Sequence, residues 1–245
     1  MSKILLLVEG AKTEKQLLDH FYKLYEKSQK EIETYILPYG THIYVFYKKF
    51  KEYFLSKNGE INHDLIDLPL FLNDYLKPEE NLNDMDFNEH ILIFDFEPHD
   101  QNYSELILVE LMEIFADSTK HGKLYLNYPT VESFKDITSL DDEDTFINST
   151  VTLNILKQRK YKSHVDNKAK ITQLNHINKI NKEIGNRLLK LHNQKLTFIT
   201  KHPNDSNEKY LQLCKKQCKK LEDEKLIWII NTCILHLLDE YGPMP

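Results

Sequence analysis

The run Ile4-Leu5-Leu6-Leu7-Val8, closed by Glu9-Gly10, constrains the fold of this chain more than any other stretch. A short, continuously apolar segment that stops at a turn signal reads as a strand buried on both faces, the mark of a parallel sheet. A matching run downstream, Ile91-Leu92-Ile93-Phe94, ends on Asp95, with Glu97 two residues further on. Ligands of open α/β sheets gather beyond the carboxyl ends of such strands. Acids in these positions therefore stand at a rim where charge can do chemistry.

Strand and helix signals alternate through the first half. Thr13 is placed to cap a helix over residues 14–29, with Leu17, Leu18, Phe21, Leu24 and Tyr25 at helical spacing. Around Pro38-Tyr39-Gly40, residues 32–45 read as a strand, a turn, and a second strand or helix start. Short helices are expected over 46–55 and 65–76, a polar loop over 78–88 and a strand over 90–95. A helix over 103–115 capped by Asn102, a strand over 123–127 and a helix over 131–137 complete the series. Such alternation predicts an α/β fold, a mostly parallel sheet flanked by helices. The acidic run at 141–144 marks a change of character, so two domains are expected, residues 1–140 and a basic, mainly helical region over 141–245. There Ile171, Leu174, Ile177, Ile180, Ile184, Leu188 and Leu191 read as one stripe of a long helix. A loop over 196–206 and helices over 207–221 and 224–240 follow.

Charge divides the same way. Of the total charge of −6, residues 151–245 carry 18 Lys and Arg against 9 Asp and Glu, leaving 14 against 29 in residues 1–150. An acidic front and a basic back suit metal or proton chemistry in one half and a polyanion in the other. They suit equally a surface whose charges drift, or acidic and basic faces that pair two copies of the chain. The 3 cysteines form no disulfide framework, and no secretory signal or membrane-spanning run is visible, so a cytoplasmic protein without membrane contact is expected. Cys214 and Cys218 lack a second Cys/His pair of zinc spacing, and no Gly-rich phosphate loop occurs.

If the two acid-ended strands are neighbours, Glu9, Asp95 and Glu97 meet at one edge. They repel one another unless a cation neutralises them, and carboxylate oxygens suit Mg²⁺ or Mn²⁺. Glu14, one turn into the first helix, can add a fourth carboxylate. Such centres stabilise attacking and leaving oxygens at phosphorus. Taken singly, each acid is equally well explained as a solvated group or a helix cap.

The pattern Val8-Glu9-Gly10…Thr13-Glu14, then Ile93-Phe94-Asp95-Phe96-Glu97, resembles the Toprim domain. That family includes topoisomerases, bacterial primases and the OLD and RloB-like nucleases of phage defence. The resemblance spans residues 1–137 and implies a Toprim-like sheet binding Mg²⁺ for phosphodiester cleavage. It assigns the family glutamate to Glu9 and the first aspartate of an Asp-x-Asp pair to Asp95. Glu97 stands where the second aspartate is expected, a departure that keeps the charge and adds one methylene. An Asn-Pro…Glu element of the RloB-like nucleases is similar to Asn127-Tyr128-Pro129…Glu132, which makes Glu132 a further catalytic candidate. As a plain sequence feature Glu132 is equally an acid in a helix's first turn.

What this resemblance implies is a nuclease acting on DNA or RNA, tRNA among them, in antiviral defence, with a separate ATPase partner because this chain has no ATPase motif. The alternative is a non-catalytic Toprim-fold binding or regulatory subunit of a nucleic-acid-processing complex. Lys157, Arg159, Lys160 and Lys162, with Tyr161 and His164 among them, form the candidate nucleic-acid contact, or a solvated basic segment. His99 and Asp100 follow Glu97 closely enough to reach the site or to be ordinary loop residues.

Overall fold

A computed structural model describes residues 2–25, 32–168, 171–201 and 208–241. The fold is α/β, as the alternation predicts. Strands β1 (Ser2–Val8), β2 (Ile32–Pro38), β3 (Glu89–Asp95), β4 (Ala116–Asp117) and β5 (Gly122–Asn127) form one sheet in the order β2-β1-β3-β5-β4. All pairings are parallel except that of β4 with β5. Ile4 to Val8 and Ile91 to Phe94 are at most 1 % exposed, which explains their unbroken apolar character.

Helices α1 (Thr13–Tyr25), α2 (Ile43–Tyr53), α3 (Leu68–Leu76) and α4 (Glu105–Ile114) connect these strands. The start of α3, three residues later than expected, has a local cause: Asp67 Oδ1 accepts from Leu70 N at 2.9 Å, and Pro69 suits the first turn. Asn102 does not cap α4; its backbone and side-chain nitrogens both bond Asp100 Oδ1, at 2.7 and 3.0 Å, and the capping position falls to Ser104. The expected helix over 131–137 is a 3₁₀ segment, Val131–Lys135. Residues 26–29 of the expected first helix lie outside the described residues.

The later chain adds short helices α5 (Glu143–Ile147), α6 (Leu153–Lys157) and α7 (Tyr161–Lys168), then α8 (Lys182–Thr200), α9 (Glu208–Glu224) and α10 (His236–Tyr241). The stripe over 171–191 is two structures. Asn181 Oδ1 caps α8 through Ile184 N at 2.9 Å, and the preceding stretch makes 3₁₀ turns at Thr172–Asn175 and Ile177–Lys179. Helix α8 in turn runs into the expected loop as far as Thr200, and residues 202–206 of that loop lie outside the described residues. The expected helix over 224–240 is a strand, β7 (Leu226–Trp228), paired antiparallel with β6 (Thr150–Thr152), then turns and α10. Tertiary hydrogen bonds outweigh helical spacing here: the Gln217 side chain bonds the Trp228 backbone at both N and O, and Ile230 bridges Tyr128. Both halves of the chain contribute to one apolar core, with α9 packed on α4 and Asn127 Oδ1 accepting from Cys233 N at 3.0 Å.

Phe46 is buried at the centre of an aromatic cluster, its ring 5.2 to 5.9 Å from those of Tyr39, Phe50, Phe71, Phe94 and Phe115. Phe46→Ala is expected to destabilise the fold by about 3–5 kcal/mol, read as a lower urea midpoint at unchanged slope.

Candidate metal centre

The parallel pairing of β1 with β3 sets Val8 opposite Ile93, so the two strands end together. Glu9 continues the ladder by donating its N–H to Ile93 O at 3.0 Å, and its Oε2 accepts from Asp95 N at 3.1 Å. Asp95, 8 % exposed, pairs in register with Asn127 at the end of β5, whose Nδ2 donates to Asp95 Oδ1 at 3.2 Å. Phe96 then turns inward, fully buried, with its N–H shared between Asn127 O and Pro129 O. That anchor projects Glu97 outward in a left-handed conformation, φ 44°, which an L-residue holds only when its surroundings impose it. Carboxylate oxygens of Glu9, Asp95 and Glu97 lie within 4.8 Å of one another.

Burial and mutual repulsion leave Glu9 and Asp95 poorly suited to carry charge unaided. Desolvation, with smaller contributions from Glu97 and Glu14, pushes the Glu9 pKa up to about 8. Asp95 is driven well above the carboxylate range, first by burial and then by Glu9. A donor set of three clustered acidic oxygens fits a hard divalent ion.

Glu14 stands beside this cluster rather than within it. It is buried, accepts from Gly10 N at 3.1 Å, and has its pKa raised by burial. A Cβ at residue 10 would stand 2.7 Å from Glu14 Oε2, so glycine is what allows the approach. Glu132 sits differently. Lys135 Nζ lies 2.8 Å and Lys162 Nζ 3.3 Å from its carboxylate, and Lys135 also binds Asp166 at 2.8 Å. Glu132 is thus neutralised by lysines and is not among the clustered oxygens.

The centre opens into a cleft of about 690 Å³ lined by Glu9, Glu97, His42, His99, Arg159 and Lys162, among others. His99 Nε2 lies 3.2 Å from Glu97 Oε2, and His42 Nε2 lies 3.4 Å from Asp100 Oδ2. Of the basic candidates, Arg159 and Lys162 face this cleft, Lys157 lines a neighbouring groove, and Lys160 is simply exposed. His42 was missed by sequence reasoning. Its signal was the rule that exposed Glu9: it follows the carboxyl end of a parallel strand, β2.

With its pKa raised from 4.5 to about 8, Glu9 makes the fold hold a proton that the unfolded chain releases. The stability this supplies is complete below pH 4.5 and is lost as pH rises through about 8. The unfolding temperature of metal-free protein is expected to fall across that window, Mg²⁺ to restore it at the alkaline end, and Glu9→Gln to flatten both responses. Comparing wild type with Glu9→Gln isolates this from buried His192, whose pKa, lowered to about 3, acts in the opposite direction. A wild-type profile indifferent to Mg²⁺ would contradict the assignment.

The chain matches no protein-family model, no curated protein and no solved structure.

Proposed function

We propose that this chain is a divalent-metal-dependent nuclease, cleaving phosphodiester bonds in DNA or RNA. The observation that carries the reading is the convergence of Glu9, Asp95 and Glu97 at the ends of adjacent parallel strands, within 4.8 Å and open to a cleft that also presents Arg159 and Lys162. Glu9, Asp95 and Glu97 would hold Mg²⁺ or Mn²⁺, with Glu14 behind them. When bound, such an ion supplies Lewis-acid neutralisation of a phosphate and an activated water. Arg159 and Lys162, which line the same cleft, attract and orient the phosphate. Glu132 positions Lys162 rather than a metal ion. His42 and His99 face the same cleft and can accept or return a proton at a phosphate oxygen.

The resemblance to Toprim nucleases of phage defence, and the absence of a P-loop motif in the 245 residues, support a cytoplasmic effector controlled by a separate ATPase. No helix among the described residues is long and apolar enough to cross a membrane.

Glu9→Gln and Asp95→Asn are expected each to lower Mg²⁺-dependent cleavage by at least about 100-fold on single- and double-stranded DNA or on tRNA. Undiminished cleavage by both variants would remove the proposed centre. Expression of this chain alone, and its purification with whatever it binds, check the control: toxicity at full strength from this chain alone, with no ATPase co-purifying, speaks against a partner.

A further inference from the structure

Behind the loop that carries Glu97 lies a second depression of about 730 Å³, between α4, α6 and the end of α9. Its floor is apolar and buried, formed by Pro98, Cys218 and Leu221, with half-buried Tyr103 and Leu153 as walls. Its rim is exposed and polar, carrying Asn154 and Lys157 from α6, Lys225 beyond α9, and the carboxylates Glu105 and Glu222. Leu153 N donates to Lys225 O at 3.0 Å, tying two of these walls together.

The groove and the catalytic cleft share a partition one backbone thick. Glu97 and His99 face the cleft while Pro98, between them, faces the groove; Leu156 faces the cleft while Lys157 faces the groove. A strand whose phosphate lies against Arg159 and Lys162 therefore meets this groove with its adjoining residue. We propose that the groove receives a nucleoside of the substrate strand flanking the cleaved phosphate. The assignment rests on the nuclease reading above.

The chemistry of the groove favours that occupant. Tyr103, Leu153 and Leu221 offer an aromatic and aliphatic surface for a base face, and every base has one. Lys157 and Lys225 stand at the rim where the backbone phosphates must pass. Carboxylates of Glu105 and Glu222 accept from exocyclic amino groups of a base, whereas they repel a ligand made mainly of phosphate. The groove thus reads a base, and the cleft next to it holds a phosphate.

The test uses the full chain, Leu153→Glu and the exposed-site variant Lys157→Glu, with oligonucleotides of one sequence carrying a single abasic residue walked across the cut site. Cleavage with Mg²⁺ gives KM and kcat; fluorescence anisotropy in EDTA gives binding without chemistry. One abasic position beside the cut is expected to raise the wild-type KM about tenfold, and both variants to raise KM on the intact strand rather than lower kcat. In Leu153→Glu that abasic position should add nothing, because the stack is already lost. Equal effects at all abasic positions, or independent multiplication of the two losses, would overturn the proposal. Absent cleavage with binding still sensitive to Leu153→Glu and to the same abasic position would fell the nuclease reading and leave the groove standing. Unchanged oligonucleotide binding in both variants, with a partner protein released instead, would overturn the groove as a nucleoside site.

Discussion

Everything at the functional end of this molecule depends on forcing negative charge together at the junction of β1 and β3. The parallel ladder does the forcing. Glu9 N bonds Ile93 O across it and Glu9 Oε2 accepts from Asp95 N, so the two residues stand side by side where the strands end. Burial then strips the solvent that would separate the charges, and the groups respond by holding protons. A cation placed at the ends of these two buried strands would relieve that repulsion.

The neighbouring acids show how environment divides similar side chains. Glu132 is as buried as Asp95, yet lysines surround it and leave it no need of a metal. Glu14 lies between these extremes, held by Gly10 N and facing Glu132 and Lys162 as well as the cluster. Motif spacing alone places all of these acids in one class; only their partners separate them.

Much of the sheet and the central triad was legible in the sequence because the relevant signals are local. Continuous apolar runs ending in acid gave β1, β3 and the rim position of Glu9 and Asp95, and the three share one edge because β1 and β3 are neighbours. Other features were legible but misread. Ile171, Leu174, Ile177 and Ile180 advance by threes, the period of a 3₁₀ helix, while Ile184 and Leu188 advance by fours into α8. The stretch after Lys225 was not legible from its own residues. Its form is imposed by Gln217, Asn127 and Tyr128, which lie 11 to 106 positions from their partners in the chain and leave no trace in local periodicity. The pairing of Glu132 with Lys135 is visible as an i,i+3 spacing, but Lys162 joins them only through the tertiary fold.

The two ends of the sheet are finished differently. On one side β4 contributes only two residues and runs antiparallel, and just beyond it Ser118 O accepts from His90 N at 2.8 Å. On the other side β2 is seven residues long, and β1 is its only strand neighbour among the described residues. Glu9's own strand is one neighbour in from this longer edge, whereas β5 separates Asp95's strand from the short one. The clustered acids therefore lie nearer the edge finished by the long strand than the edge finished by β4.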